Sequence, residues 1–332
     1  MLRNVGIQLS ASRTMSTAAA KPAIRPSATL IIAAPKPADN LGSGSDYRIL
    51  MVKRNARSSF INAHVYPGGV LDQHDTYSYW KDVLTEKTES GQQLLANKIC
   101  AIRETFEESG LLLTSPPAHE IKTLDINHWR KQVHDDASQF RAMCDQFKIL
   151  PAVEKLVPFS NWITPVHEKK RYNTTFFLTI LDQFKTQVEH DNHLKLVAAD
   201  GKETVLFDWY EPEKALQGCE EKQLVLFPPQ WYSLNILSAY SNYVDLIKNA
   251  GVNIFKSVQG EIAQILPQFN ALEDNDYTGF LAYPGDECYK DARYPIRAGN
   301  RHRLYFKGRM QNFKLERNVD MTEILNNKKS HL

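Results

Sequence analysis

Residues 103–111 read RETFEESGL, and a Gly68-Gly69 pair stands upstream of them. At 100° per residue, four apolar side chains share one face of a helix: Leu95, Ile99, Ile102 and Phe106. Three carboxylates fall on the opposite face: Glu104, Glu107 and Glu108. Gly110 supplies a stop signal. We therefore predict an amphipathic helix over residues 94–109 that carries a row of glutamates.

The glutamate row (Glu104, Glu107 and Glu108) needs a counter-charge. Like charges three or four residues apart on a helix repel by a few tenths of a kcal/mol, roughly 0.2 to 0.5 per pair. A hard divalent cation would offset this repulsion, because Mg²⁺ takes oxygen ligands from carboxylates and from substrate phosphates. Such a row is commonly a solvated surface when it stands alone. Here Gly68-Gly69 and Arg103 accompany it.

The order of these pieces, closed by Gly110-Leu111, resembles the signature of the Nudix hydrolase family. The resemblance implies that the glutamate row holds Mg²⁺ or Mn²⁺ against a diphosphate, and that Arg103 braces the glutamates. It implies an α+β fold, the Nudix α/β/α sandwich with a mixed sheet. Glu107 is our candidate for the general base, with Glu168 and Glu203 as alternatives.

Two departures from the signature stand out. Gly68 and Arg103 lie 35 positions apart, so we infer an insertion within the signature at residues 72–94. The glutamate expected six residues after the first glycine is absent, because Gln73 and His74 stand there. Two later acidic residues are alternatives for that role: Glu86 and Glu89.

Flanking segments resemble the peroxisomal acyl-coenzyme A diphosphatase branch of the family. They are Trp162-Ile163-Thr164-Pro165, Arg171-Tyr172-Asn173-Thr174, Phe227-Pro228-Pro229 and Pro284-Gly285-Asp286. The resemblance implies hydrolysis of coenzyme A and acyl-CoA esters to 3′,5′-ADP and (acyl-)4′-phosphopantetheine. Asn173 stands where an aspartate is expected. NADH or ADP-ribose as substrate, or an inactive Nudix-fold binding module, are the alternatives.

Backbone and cations are expected to contact the substrate. Gly68 and Gly69 allow the main chain to approach a metal or phosphate closely. The candidates for a 3′-phosphate partner are Arg54, Arg57, Lys169, Lys170 and Arg171. Three histidines are expected to be structural or solvated rather than metal ligands or bases: His64, His167 and His302. No second histidine or carboxylate stands at ligand spacing from them.

Composition excludes several classes of protein. The 332 residues hold 40 Lys+Arg against 38 Asp+Glu, and the net charge of +2 gives no reason to expect a nucleic-acid partner. The apolar runs are far shorter than the roughly 20 residues that span a bilayer, so we expect no transmembrane segment. Four scattered cysteines indicate reduced thiols rather than a disulfide framework.

We predict four regions along the chain. A targeting or disordered tail (1–26) precedes the Nudix domain (27–229), which carries insertions at 72–94 and 114–156. A mainly helical extension (230–327) packs on that domain, as a monomer or a homodimer. The terminal tail (328–332) ends in Ser330-His331-Leu332, which resembles a peroxisomal address and implies an import receptor. The mitochondrion is the alternative, because the first 38 residues contain no Asp or Glu.

Overall fold

A computed structural model describes residues 23–36, 44–54, 63–181, 204–250, 262–273, 276–308 and 311–326. Fourteen strands lie in these ranges: β1 (Ile24–Pro35), β2 (Tyr47–Arg54), β3 (His64–Val65), β4 (Gly68–Val70), β5 (Thr114–Ser115), β6 (Leu150–Pro151), β7 (Val157–Ile163), β8 (Arg171–Ile180), β9 (Thr204–Tyr210), β10 (Gln264–Ile265), β11 (Gln268–Ala271), β12 (Gly279–Ala282), β13 (His302–Lys307) and β14 (Gln311–Arg317). The same ranges hold eight α-helices: α1 (Tyr77–Trp80), α2 (Glu89–Ser109), α3 (Ile126–Asp135), α4 (Ser138–Phe147), α5 (Pro212–Glu220), α6 (Pro228–Leu237), α7 (Tyr243–Ala250) and α8 (Met321–Asn326).

The central element is a mixed sheet of eight strands in the order β10-β7-β8-β1-β2-β3, with β4 paired to β1 and β9 paired to β2. β1 runs parallel to β8 over ten residue pairs and antiparallel to β2 and β4. Since β4 is the Gly68-Gly69 segment, this pairing fixes the glycines beside β1. The predicted mixed sheet is confirmed.

Alternation along β1 divides the apolar core between the two faces of the sheet. Leu30 and Ile32 pack in one buried cluster with Ile99 and Phe106 of α2. The intervening Ile31 belongs to a second cluster, on the other face. That second cluster also contains Trp231, Tyr232 and Leu234 of α6. Helices therefore cover both faces, as the predicted sandwich requires.

The glutamate-bearing helix is confirmed and is longer than predicted. α2 begins at Glu89 rather than at residue 94, because Thr88 caps it: its Oγ1 accepts a hydrogen bond from the Gly91 amide at 3.1 Å. At the other end Gly110 adopts φ 78°, and its amide donates to the Phe106 carbonyl at 2.8 Å. Both ends of the helix are thus fixed by local contacts.

Each predicted insertion has structure of its own. Residues 72–94 contain a 3₁₀ turn over Gln73–Asp75, the short helix α1 and the start of α2. Residues 114–156 contain α3 and α4. Phe140 of α4 packs between Trp80 and Phe106, with ring centroids 5.9 and 6.5 Å away. The two insertions therefore meet over α2.

The prediction that residues 230–327 are mainly helical was wrong. Besides α6, α7 and α8, this region holds an antiparallel sheet in the order β11-β12-β13-β14. The strands are short, and in β13 the buried Leu304 and Phe306 alternate with the half-buried Tyr305. Such alternation over a few residues is a weak signal of a strand.

The Pro284-Gly285-Asp286 segment has a structural role in this extension. Asp286 is fully buried, and its carboxylate accepts hydrogen bonds from the guanidinium of Arg303 at 2.8 Å and from the amide of His302 at 2.8 Å. The ring of His302 contacts the Tyr232 hydroxyl and the Pro284 carbonyl, each at 2.7 Å. Burial lowers the pKa of His302 to about 4, so this histidine is a neutral core residue.

Composition predicted no membrane-spanning segment and reduced cysteine thiols. Within the described ranges, no helix combines the length and apolar character needed to cross a membrane. All four cysteines are free thiols, with Cys100 and Cys144 buried.

Candidate active site

Glu108 joins the end of α2 to the glycine segment. Its carboxylate accepts a hydrogen bond from the Gly68 amide at 3.1 Å and lies 3.6 Å from a guanidinium nitrogen of Arg54. The glutamate itself is buried, with 6% of its surface exposed. The structure therefore brings together three predicted site residues: Arg54 of β2, Gly68 of β4 and Glu108 of α2.

Glu104 occupies the space that a side chain at Gly69 would need. A Cβ placed on Gly69 would lie 2.3 Å from the Glu104 Oε2 atom, well inside contact distance. A Cβ on Gly68 would meet Thr29 Oγ1 at 2.2 Å and the Ala28 carbonyl at 2.4 Å. A side chain at Gly68 would therefore collide with strand β1, and a side chain at Gly69 would displace the carboxylate of Glu104.

Arg103 is the central cation of the site. Its guanidinium, 4% exposed, contacts Glu107 Oε1 at 2.5 Å and Glu104 Oε1 at 3.0 Å. It also makes a bidentate pair with Asp75, in which Nε and Nη2 each donate at 2.8 Å. The predicted bracing of the glutamates by Arg103 thus takes the form of direct ion pairs.

Asp75 is a site residue that the sequence reasoning missed. It is fully buried, and its Oδ2 also accepts from the Asp72 amide at 2.9 Å. The expected acidic residue was sought six positions after Gly68, whereas Asp75 lies six positions after Gly69. Counting from the second glycine would have found it. The proposed substitutes lie elsewhere: Glu86 accepts from the Thr88 amide at 3.1 Å, and Glu89 is exposed in the first turn of α2.

Burial and mutual repulsion make the glutamate row electrostatically strained. Burial raises the pKa of Glu104 to about 7, opposed by Arg103 and reinforced by Glu107 and Asp75. Burial also raises the pKa of Glu107, again opposed by Arg103. Burial therefore favours the neutral form of both carboxyl groups in spite of the neighbouring guanidinium.

The donor set fits a divalent cation by its chemistry. Clustered carboxylates with raised pKa values are stabilised by added positive charge, and carboxylate oxygens are the ligands that Mg²⁺ and Mn²⁺ prefer. In the described ranges no three acidic, histidine or cysteine side chains converge on one point as a ready-made metal site. Instead, Glu104 and Glu107 turn toward Arg103, and Glu108 turns toward Gly68.

The other predicted site residues make no described contact with the glutamate row or lie outside the described ranges. Arg171 is buried at the start of β8, and its Nε donates to the Thr164 carbonyl at 3.1 Å. Glu168 is exposed beside the exposed His167. Lys169 and Lys170 are exposed in the same turn. The predicted residues that the structure does not describe are Arg57, Glu203, Ser330, His331 and Leu332.

Helix α3 adds two side chains to the site. His134 Nδ1 lies 3.7 Å from Glu107 Oε2, and Arg130 contacts the end of α2. Neither residue could be predicted as a site residue, because both lie in an insertion and the sequence does not indicate how an insertion packs. His64 is buried in β3 with its ring against Tyr210. As expected, His64 and His167 take no part in the contacts described for the glutamate row.

A substitution at Gly69 tests the close approach of Glu104. Gly69→Ala places a methyl group 2.3 Å from the present position of the Glu104 carboxylate, so that carboxylate must move. Since Glu104 is a flexible side chain, we expect the variant to fold but to bind Mn²⁺ about tenfold more weakly. Titration followed by electron paramagnetic resonance measures this affinity. Wild-type affinity in a folded Gly69→Ala protein would contradict the assigned position of Glu104.

Comparison with solved structures agrees with the class of fold that the sheet and α2 define. A NUDIX hydrolase from Alicyclobacillus acidocaldarius superposes with a TM-score of 0.55 at 20% identity, covering 69% of this chain and 97% of the other. At this identity the similarity shows the fold alone. The molecule therefore has the Nudix fold.

Comparison of sequences narrows the class to a family. The profile described as NUDT19 Nudix domain matches residues 24–98 and 91–237. "Acyl-coenzyme A diphosphatase NUDT19" from Xenopus laevis is 30% identical over 293 residues, covering 74% of this chain and 72% of the relative. The protein of the same name from Gallus gallus is 28% identical over 295 residues, covering 74% of each. The chain belongs to the NUDT19 family of Nudix hydrolases.

Proposed function

We propose that this protein hydrolyses the diphosphate of coenzyme A and its acyl esters. The observation that carries the proposal is the cluster of Glu104 and Glu108 against the Gly68-Gly69 segment. The choice of substrate is supported by the relatives named acyl-coenzyme A diphosphatase, which match this chain over most of its length. Water attacks one phosphorus, the anhydride P–O bond breaks, and the products are 3′,5′-ADP and (acyl-)4′-phosphopantetheine.

The glutamate row is proposed to hold Mg²⁺ or Mn²⁺. When bound, a divalent cation neutralises diphosphate charge and acidifies water. Glu104, Glu107 and Glu108 supply carboxylate oxygens for it from one face of α2. Arg103 limits their mutual repulsion and anchors them to Asp75. Arg54, whose guanidinium lies 3.6 Å from the Glu108 carboxylate, is proposed to contact a phosphate group of the substrate.

Glu107 is proposed as the general base. Burial raises the pKa of the Glu107 carboxyl above its ordinary value, and a carboxylate with a raised pKa is a stronger base. Its second carboxylate oxygen faces His134 rather than Arg103. The alternative Glu168 lies on an exposed turn beside His167, which disfavours it.

The test is incubation of the purified protein with coenzyme A and Mg²⁺, with chromatographic detection of 3′,5′-ADP. We expect this product from the wild type and its loss in Glu108→Gln. Glu89→Gln is the matched control, because Glu89 is an exposed glutamate of the same helix outside the row, and it should retain full activity.

The other outcomes distinguish the alternatives. Products from NADH or ADP-ribose, but not from coenzyme A, would replace the substrate and leave the site assignment intact. Failure with coenzyme A, acyl-CoA, NADH and ADP-ribose would contradict hydrolysis and favour an inactive binding module. Equal activity in Glu108→Gln and wild type would contradict the role of the glutamate row.

A further inference from the structure

Arg130 contacts the C-terminal turn of α2 from outside the helix. Arg130 Nε donates to the main-chain carbonyl of Glu107 at 2.8 Å, and Arg130 Nη2 donates to the carbonyl of Glu108. These are the backbones of two members of the glutamate row. Arg130 lies on α3, within the insertion at residues 114–156.

The position suits a cation for two physical reasons. The last four carbonyls of a helix have no intrahelical partner, and the negative end of the helix dipole lies there. Gly110 satisfies the carbonyl of Phe106. Arg130 satisfies the carbonyls of the next two residues, Glu107 and Glu108.

Helix α3 is itself well anchored, so that Arg130 is held in place. Asp125 caps its first turn by accepting from the His128 amide at 3.0 Å, and Val133 is fully buried in the cluster that contains Ile99 and Phe106. The neighbouring helix α4 is tied to the other insertion, because Arg141 pairs with Asp82 at 2.6 Å and with the Tyr79 carbonyl at 3.0 Å. The insertion forms a rigid support rather than a loose appendage.

We propose that Arg130 is a positioning residue for the glutamate row, and that the insertion at 114–156 is thereby an integral part of the active site. The fork of Arg130 fixes the backbone of Glu107 and Glu108. Their carboxylates then start from a geometry close to the one that binds a divalent cation, and less ordering is needed on binding. This inference rests on the proposed metal site and is independent of which diphosphate is the substrate.

The experiment compares three variants of the full chain by Mn²⁺ titration, with electron paramagnetic resonance as the readout and no substrate present. Arg130→Met removes both donors at similar length. Arg130→Lys keeps the charge and part of the hydrogen bonding. Arg141→Met is the matched control, because Arg141 belongs to the same insertion and makes its own ion pair without touching α2 in any described contact.

We expect Arg130→Met to weaken Mn²⁺ binding about 10- to 100-fold, the usual effect of losing a group that orients metal ligands. Arg130→Lys should recover part of that loss. Arg141→Met should lower the melting temperature and leave Mn²⁺ affinity unchanged. Wild-type affinity in Arg130→Met, or equal losses in Arg130→Met and Arg141→Met, would overturn the inference.

This readout separates the inference from the proposed function. Absence of coenzyme A hydrolysis together with tight Mn²⁺ binding would contradict the proposed substrate, while the comparison of Arg130 variants would still hold. Absence of Mn²⁺ binding in the wild type would contradict the metal site and the inference with it.

Discussion

Glu104→Gln is expected to abolish hydrolysis and, at the same time, to stabilise the metal-free protein at neutral and alkaline pH. Loss of a metal ligand removes several kcal/mol of transition-state stabilisation, which corresponds to a rate loss on the order of 10³-fold. The gain in stability arises because Glu104 is buried beside Glu107 and Asp75, and a neutral amide of the same shape removes that repulsion.

The pH dependence of the stability difference follows from the raised pKa. The carboxyl of Glu104 titrates near 4.5 in the unfolded chain and at about 7 in the folded protein. Between these values the folded state binds more protons than the unfolded state, so the stability of the wild type falls as pH rises through this window. Glu104→Gln has no titrating carboxyl group at this position, so it does not lose stability in this way. Its advantage should be absent below about pH 4.5, grow through the window and stay constant above about pH 7.

Thermal unfolding in the presence of a chelator, at several pH values, measures this difference. Glu89→Gln serves again as the control, since Glu89 is exposed and its substitution should leave the melting temperature within the range of ordinary surface changes. A Glu104→Gln protein less stable than the wild type at about pH 8 would contradict the assigned repulsion. Added Mn²⁺ should raise the melting temperature of the wild type more than that of the variant.

The sequence was most informative where one pattern determined one element. The spacing of Ile99, Ile102 and Phe106 predicted both α2 and the face that it buries, and the glutamate row followed from the same wheel. The assignment of Ile31 and Ile32 to opposite faces of the sheet could not be predicted from the sequence. Because β1 is buried on both faces, it presents a nearly continuous apolar run that shows a strand without showing which residue faces which layer.

Contacts between distant segments could not be predicted in the same way. Arg130 and His134 reach Glu107 only because α3 folds back over α2, and nothing in the local sequence of an insertion specifies that packing. The small sheet of β11 to β14 was not predicted as a sheet, because its four strands are short and each gives a weak periodic signal. Asp75 was missed for a different reason: the sequence did contain the signal, one position from where it was sought.

Asp75→Asn is expected to be the most destabilising substitution in the site. The carboxylate of Asp75 is fully buried, and it makes two hydrogen bonds of 2.8 Å to Arg103, whose guanidinium is itself buried. Removing one partner of a buried ion pair leaves the other charge uncompensated, at a cost of about 3 to 5 kcal/mol. Arg103 retains Glu104 and Glu107 as partners, so the lower end of this range is expected.

The same substitution should also lower activity, because Arg103 freed from Asp75 can pair more closely with Glu104 and Glu107 and so compete with a divalent cation for their oxygens. Chemical denaturation measures the free energy of unfolding, and Mn²⁺ titration measures the competition. Asp72→Asn is the matched control: Asp72 belongs to the same turn and caps it through the His74 amide at 2.9 Å, but its side chain is 42% exposed. Because asparagine caps a helix about as well as aspartate does, this control should cost less than about 1 kcal/mol. Equal losses of unfolding free energy in Asp75→Asn and Asp72→Asn would contradict a buried ion pair between Asp75 and Arg103. The glutamate row would then be held in position by Arg103 and Arg130 without Asp75.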